Sequence, residues 1–210
     1  MNIPYEVRQL VTIIESYNPI LVGGCVRDSL MGIEPKDFDI VVDRLDMDLL
    51  DIIIAGGWRN TQVQTNEAKI WNLTKLFPVY NTVPGTNIQY IEKYKPYLIE
   101  VLEYSNGNIE NDSKRRDLTI NSLYYDIAND KVIDPTGRGL EDIQNKVIRF
   151  NHKDVVLNDR LRILRAYRFA KKFGFAIEDR SLTLCRNEFD AMVKEISPTR
   201  MLKEIEKLCL

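Results

Sequence analysis

The sequence predicts an α/β fold with a mixed β-sheet, followed by an all-helical segment. Short apolar runs alternate with amphipathic stretches over most of the chain, an order typical of strands and helices built on one sheet. Beyond Asp134 the patterns become helical. We therefore expect an α/β domain over residues 1–137 and an all-helical domain over residues 138–210.

Apolar periodicity, together with the glycines that end the helices, predicts the individual elements. In the first domain, strands are predicted over residues 19–22, 38–42, 69–77, 88–90 and 98–102. Helices are predicted there over residues 5–17, 25–31 and 45–55. In the second domain, helices are predicted over residues 157–173, 181–193 and 198–210. Ser197 and Pro198 form a specific start signal for the last helix.

The composition excludes several classes of protein. The chain has 210 residues, a net charge of −2 and no apolar run near the roughly 20 residues that span a bilayer. We expect no secretory signal and no membrane partner, because the sequence does not open on a basic and apolar leader. Three scattered cysteines and one histidine, His152, argue against disulfides and imidazole metal sites and for a reducing, cytoplasmic setting.

Two carboxylates, Asp37 and Asp39, flank Phe38 at a predicted strand. Alternate residues of a strand share a face, so both carboxylates point one way while Phe38 points into the core. Paired carboxylates repel each other unless a cation lies between them. Because their oxygens suit a hard divalent ion, we predict magnesium (Mg2+) as the cofactor, with both residues as catalytic metal ligands.

A glycine pair precedes this strand. Gly23 and Gly24 lead from a predicted strand into a helix, where glycine lets a phosphate approach and the helix start offers free N–H groups. Arg27 adds a charge-assisted contact, so Gly24 and Arg27 are candidate nucleotide-binding residues. Glu100 is a candidate third catalytic carboxylate. The alternative for Glu100 is an edge-strand acid that faces water.

Five ordered motifs resemble one family. Residues 23–28 (Gly-Gly-Cys-Val-Arg-Asp) and 37–39 (Asp-Phe-Asp) are similar to the opening of the class II tRNA nucleotidyltransferase and bacterial poly(A) polymerase family. Its Arg-Arg-Asp motif, its segment between head and neck, its base-reading motif and its last neck motif are matched by residues 115–121, 134–142, 158–169 and 196–200. The resemblance implies a nucleotidyltransferase-type head followed by a helical neck.

The resemblance also implies residue roles. It implies ribose and phosphate contacts from Arg116, Asp117 and Asn121. The sequence departs from the family pattern at Asn158, which replaces a glutamate, and at Arg160, which replaces a proline. Residues 100–105 lack the arginine that the family carries there.

Base choice can be argued from the residues themselves. Cytosine and adenine both present an amino donor beside a ring-nitrogen acceptor, which Asp159 and Arg162 can satisfy by accepting and donating. On a helix these residues are i and i+3 neighbours. Arg165 and Arg168 continue along the helix and either hold Arg162 or reach the triphosphate. The alternative is that this basic segment is a solvated helix face.

The expected function is addition of C and A from CTP and ATP to tRNA 3′ ends, with RNA as the partner. One alternative is an enzyme that adds only A, to CC-ended tRNA or as poly(A). Another is a nucleotide- or RNA-binding module without catalysis, against which the intact acids and arginines argue. The sequence leaves the oligomeric state open.

Overall fold

A computed structural model describes residues 1–64, 69–104 and 107–209. Its helices are α1 (Tyr5–Ile13), α2 (Gly24–Leu30), α3 (Met47–Ala55), α4 (Ile109–Arg115), α5 (Gly139–Gln144), α6 (Lys153–Asn158), α7 (Arg162–Phe173), α8 (Asp179–Glu195) and α9 (Pro198–Cys209). Its strands are β1 (Ile20–Val22), β2 (Phe38–Val42), β3 (Arg59–Gln64), β4 (Lys69–Thr82), β5 (Gln89–Glu103), β6 (Tyr124–Asp126), β7 (Lys131–Ile133), β8 (Val147–Ile148) and β9 (Ala176–Ile177). Within these ranges, no helix is both long and apolar enough to cross a membrane.

A mixed sheet of seven strands forms the first part of the fold, as predicted. Its order is β3-β4-β5-β2-β1-β6-β7. Strands β2 and β5 are parallel, whereas every other neighbouring pair in this order is antiparallel. The parallel pairing sets Asp39 directly beside Glu100. The two acids thus meet although 60 residues separate them in the chain.

The two faces of the sheet differ. Phe38, Ile40 and Val42 point to one face, where they join a core that α1 and α3 cover through residues such as Leu10 and Ile53. Asp39 lies between these positions and therefore points to the opposite face. The helical face stabilises the sheet by apolar burial, which leaves the opposite face for the site.

Two predictions about strands change in the structure. The predicted strands over residues 88–90 and 98–102 are the two ends of one long strand, β5, that pairs with β4 along its length. The strand continues between its two apolar ends because it forms antiparallel hydrogen bonds with β4 there. Apolar periodicity alone does not reveal this pairing. Ser105, in the segment that departs from the family pattern, lies outside the described residues.

The predicted helix over residues 157–173 is also wrong, because α6 and α7 are separate. Asp159 ends α6 with an extended backbone (φ −148°, ψ 97°), and α7 begins at Arg162. The second part is not all-helical, since β8 and β9 pair in parallel. Its core also recruits Leu118 and Ile120, which precede the proposed limit at residues 137–138. That limit stays a prediction.

The start of α5 packs tightly against the 3-10 turn at residues 119–121. A methyl group on Gly139 would lie 2.7 Å from the Thr119 carbonyl oxygen and 2.8 Å from Leu123 Cδ2. Thr119 also donates a 2.6 Å hydrogen bond to Asp142. Only glycine therefore allows this approach.

We predict that Gly139→Ala lowers the free energy of unfolding by about 1–3 kcal/mol, because the added methyl overlaps backbone and core atoms. Gly24→Ala is the matched control, since Gly24 also begins a helix but its methyl would meet only Arg27 Nη2 at 3.6 Å. Urea denaturation measures both variants. Equal stability of the two would contradict the packing described here.

Candidate active site

Asp39 and Glu100 lie side by side on the face of the sheet away from α1 and α3, and Asp37, just before β2, adds negative charge nearby. Burial, together with the charges of Glu100 and Asp37, raises the pKa of Asp39 to about 6 against the opposing effect of the Arg116 guanidinium. Burial and the charge of Asp37 also raise the pKa of Glu100. Ionised carboxylates at this distance repel each other, and a cation bound between them would relieve the repulsion.

The donor set fits magnesium. Mg²⁺ is usually held by one or two carboxylates together with substrate phosphates rather than by a cage made only of protein. Within the described ranges, no three acidic, cysteine or histidine side chains are gathered around one position. Asp37 and Asp39 instead offer two hard oxygen ligands that line an open cleft, which leaves room for phosphate oxygens.

Gly23 forms the floor beside these acids. Its backbone has φ +77°, and a Cβ there would lie 3.5 Å from Arg116 Nη1 and 3.9 Å from Asp39 Oδ2. The positive φ favours glycine at this position, whereas the neighbouring atoms would leave room for a Cβ. Gly24, which begins α2, lines the same cleft. The predicted glycine pair therefore lies next to the predicted carboxylates.

Arg27 has a different setting from the one that the sequence suggested. Its guanidinium is buried, pairs with Asp28 at 2.6 Å and donates a hydrogen bond to Asn121. The rings of Phe169 and Phe173 lie 4.9 and 4.8 Å from it, a cation–π arrangement. Arg27 thus joins α2 to α7. Its contact with a phosphate stays a prediction.

Arg116 is held near the acids by partners that the sequence analysis missed. Its Nε donates to Asp112 Oδ2 at 2.8 Å and to the Tyr124 hydroxyl at 3.1 Å. The Arg116 and Arg115 charges lower the pKa of Asp112 against the effect of burial. Arg116 Nη2 is buried and has no hydrogen-bond partner among the described residues. A buried, unused donor beside the acids suits an anionic ligand.

Asp112 and Tyr124 could not be identified from sequence alone. Asp112 lies on α4, within a segment that resembles no motif, and Tyr124 lies on a short strand that the periodicity did not reveal. The only available signal for Asp112 was its position three and four residues before Arg115 and Arg116, which is the spacing of ion pairs on a helix.

Asp117 is an ion-pair partner inside the protein. Arg165 contacts its Oδ2 through Nε and Nη2, each at 2.7 Å, and Asn121 donates to its Oδ1 at 3.0 Å. Although burial raises the pKa of Asp117, the Arg165 charge and these hydrogen bonds bring it to about 2. Together with the bond from Arg27 to Asn121, this chain of contacts ties α7 to α2 and to the 3-10 turn at residues 119–121. Ribose or phosphate contacts by Asp117 and Asn121 stay predictions.

Arg168 forms an ion pair and a ring contact with residues of α9 and α7. Its Nε contacts the buried Glu204 of α9 at 2.8 Å, and its guanidinium lies 4.2 Å from the Phe169 ring centroid. These contacts position Arg168 against α9. It nevertheless lines the cleft.

The geometry predicted for Asp159 and Arg162 is wrong, because the two are not neighbours on one helix. An extended residue at Asp159 separates α6 from α7. The Asp159 carboxylate contacts Arg200 Nη2 at 3.1 Å, and Arg162 Nη1 donates to the Arg115 carbonyl at 2.7 Å. Both side chains still line the cleft. Arg200 belongs to the last predicted neck motif, although nothing in the sequence indicated this pairing.

One cleft of about 980 Å³ collects most of the candidate residues. Its lining carries both carboxylates and guanidinium groups, and several of them are paired with one another. Its lining includes Gly24, Arg27, Asp37, Asp39, Arg116, Asp117, Asn121, Asp159, Arg162, Arg165 and Arg168. Glu100 lies beside Asp39 but is not part of this lining. Carboxylates and arginines together are what a metal-bound polyphosphate needs.

The chain belongs to the poly(A) polymerase head domain family, whose model matches residues 20–149. It is 31% identical over 199 residues to poly(A) polymerase I of Salmonella typhi, covering 91% of this chain and 42% of that protein. The chain thus spans less than half the length of this relative. The family comprises nucleotidyltransferases, a class that the acids and arginines fit.

Solved structures agree with this family. The chain is similar to the Thermotoga maritima CCA-adding enzyme complexed with tRNA-CCA, at 25% identity and a TM-score of 0.76, covering 98% of this chain and 48% of that one. It is also similar to a tRNA-processing enzyme with CTP, at 26% identity and a TM-score of 0.71, covering 94% and 50%. The mixed α/β fold is therefore that of these enzymes' heads.

We predict that the Asp117–Arg165 pair makes stability depend on acid pH. Because folding depresses the pKa of Asp117, its stabilisation is complete above about pH 4 and is lost as the pH falls towards 2. Asp117→Asn should cost about 2 kcal/mol at pH 7, and this difference from the parent should shrink below pH 4. Urea unfolding at several pH values measures it. A difference that is constant with pH would contradict the ion pair.

Proposed function

We propose that this chain carries a magnesium-dependent, template-independent RNA nucleotidyltransferase that adds C and A from CTP and ATP to tRNA 3′ ends. The observation that carries the proposal is the single cleft that Asp37 and Asp39 line together with Arg116, Arg162 and Arg165. Membership of the poly(A) polymerase head domain family supports the same chemistry. The CCA product is supported by the similarity to enzymes solved with tRNA-CCA and with CTP.

The proposed reaction is an in-line displacement. The RNA 3′ hydroxyl attacks the α-phosphorus of the triphosphate, a new phosphodiester bond forms, and pyrophosphate leaves. Asp37 and Asp39 would hold Mg²⁺, which when bound neutralises charge on the phosphates and lowers the pKa of the attacking hydroxyl. Glu100 adds negative charge beside Asp39 and so strengthens the attraction for a cation.

The arginines would orient the triphosphate. Nη2 of Arg116 is a buried donor without a partner among the described residues, and Arg116 lies near Gly23. It can therefore bind a phosphate or ribose oxygen while keeping its hydrogen bond to Asp112. Arg165 remains about one-third exposed while paired with Asp117 and can reach into the cleft in the same way. Orientation of this kind accounts for much of the rate in phosphoryl and nucleotidyl transfer.

Asp159 and Arg162 would select the base. Each carboxylate oxygen can accept two hydrogen bonds. Among the described residues, Asp159 Oδ2 accepts a hydrogen bond only from Arg200. It can therefore also accept from the amino group of cytosine or adenine. Arg162 uses Nη1 for the Arg115 carbonyl, which leaves other donors for the ring nitrogen. Uracil and guanine would leave buried groups unpaired, and such a mismatch costs the most.

The similarity to Salmonella typhi poly(A) polymerase I favours a second candidate, an enzyme of the same chemistry that adds only A. Sequencing the products formed from RNA ending in C, CC or CCA, with all four triphosphates present, separates the two. Addition of C and then A supports the CCA proposal, whereas runs of A support the second candidate. Absence of turnover would indicate a binding module. We place the activity in the cytoplasm, given the free cysteines Cys25, Cys185 and Cys209.

We predict that Asp159→Ala lowers kcat/KM for CTP and ATP about tenfold to a hundredfold and narrows their advantage over UTP and GTP, because it removes the acceptor for the amino group. Arg162→Ala should act in the same direction. Lys172→Ala, on the same cleft wall, is the control for simple loss of charge. If every variant loses activity by one common factor for all four triphosphates, the base-reading role is wrong.

A further inference from the structure

Asp159 lies at the first position of a tight turn between α6 and α7. The Arg162 N–H donates to the Asp159 carbonyl oxygen at 3.1 Å, and Leu161 has helical backbone angles (φ −60°, ψ −21°). These features are close to a type I turn whose second position is Arg160. The Leu161 N–H also donates to Asp159 Oδ1 at 3.2 Å, so the direction of this carboxylate depends on how the turn is held.

The residues on either side of Asp159 restrain its backbone only weakly. Asp159 is extended, a conformation that a following proline would favour, but the residue that follows here is Arg160. Asn158, on the other side, is exposed, and its side chain forms no hydrogen bond within the described residues. The restraint on the extended backbone must therefore come from contacts outside the turn.

The side chain of Arg160 supplies such contacts. Its Nε pairs with Glu188 Oε2 at 2.9 Å, and its Nη1 pairs with Glu195 Oε2 at 2.6 Å. The side chains of Arg160 and Glu188 are only 20% and 22% exposed, so water screens this pair less than it screens a surface ion pair. One planar guanidinium thus joins the turn to two carboxylates of α8, a geometry that the single ammonium of a lysine cannot reproduce.

Helix α8 is itself packed into the protein core. Cys185 and Met192 of α8 are buried in the cluster that also contains Val155 of α6. Glu188 and Glu195 each follow one of these two buried residues by three positions, so they lie near the same face of the helix. The ion pairs therefore hold the turn against an element that the core fixes in place.

Arg160 does not itself line the cleft. Asp159, Leu161 and Arg162 are part of the cleft lining, whereas Arg160 is not. Its guanidinium is directed to α8 instead and is not placed to contact a nucleotide. Loss of this side chain would act on a ligand only through the turn, by allowing Asp159 to move relative to Arg162.

We propose that Arg160 is a positioning residue for base selection, which holds the Asp159 carboxylate where it can face the amino group of cytosine or adenine. This inference rests on the proposed function, because it assumes that Asp159 and Arg162 read the base. It assigns part of the selectivity to two ion pairs with α8 that lie outside the cleft lining.

The test is the selectivity for CTP over UTP, measured as a ratio of Kd values by isothermal titration calorimetry with magnesium, and as a ratio of kcat/KM values in transfer. Arg160→Ala should lower both ratios about threefold to tenfold, less than Asp159→Ala, since the carboxylate is displaced rather than removed. A merely structural role would lower the folded fraction and affect both nucleotides by one factor, which leaves the ratios unchanged.

Further variants separate positioning from loss of charge. Arg160→Pro should keep the parent selectivity, because proline suits the second position of a type I turn and the Arg160 N–H donates no hydrogen bond within the described residues. Glu188→Gln/Glu195→Gln should reproduce the loss and add nothing to it in the Arg160→Ala background. Arg186→Ala is the matched control, since Arg186 is an exposed arginine of the same helix and forms no ion pair among the residues that the structure describes.

Three outcomes would overturn the inference. They are unchanged ratios in Arg160→Ala, an equal loss in Arg186→Ala, and a folded Arg160→Pro variant that is as unselective as Arg160→Ala. Circular dichroism and urea unfolding show which variants fold, and the double glutamine variant provides the test if Arg160→Ala does not. Because the ratio of Kd values needs no turnover, a chain whose selectivity falls as expected but that transfers no nucleotide would lose the proposed function and keep the positioning role.

Discussion

The parallel pairing of β2 with β5 holds Asp39 beside Glu100, and Asp37 adds a third negative charge nearby. Burial disfavours the charged form of Asp39, and the neighbouring carboxylates add to this effect, so the pKa of Asp39 rises to about 6. The arrangement costs stability in the isolated protein, and a cation removes that cost. In the proposed function, this concentration of negative charge would attract the metal that carries the phosphates. Gly23 and the Arg116 guanidinium lie next to these acids.

Guanidinium groups balance the acids and join the two parts of the fold. Arg165 pairs with Asp117, Arg27 reaches Asn121, and Arg200 reaches Asp159. These contacts connect α2, the 3-10 turn and Asp117 with α7, and the end of α6 with α9. The same arginines also line the cleft. A substitution in this network is expected to affect the geometry of the site as well as its charge.

The parts of the site that a short stretch of sequence specifies could be predicted. Asp37 and Asp39 both line the cleft, although β2 begins only at Phe38 and Asp37 precedes it, and Gly23 and Gly24 line the same cleft. The parts that depend on long-range pairing could not be predicted in the same way. The meeting of Asp39 with Glu100 depends on strand register, and the pairing of Asp159 with Arg200 depends on how α9 packs. Helical periodicity also continues on both sides of Asp159, so the extended residue that separates α6 from α7 gives no signal in the pattern.

The measurement that tests the central claim most directly is magnesium-dependent transfer of labelled CMP and AMP to RNA by the parent, Asp39→Asn and Asp43→Asn. Asp43 follows the same strand but is exposed and bonded to Asn18, so it is the matched control. The account predicts that Asp39→Asn abolishes transfer while remaining folded, and that Asp43→Asn keeps it, because Asp39 would hold the metal together with Asp37 whereas Asp43 would not. Transfer by Asp39→Asn at a rate near that of the parent would contradict the account.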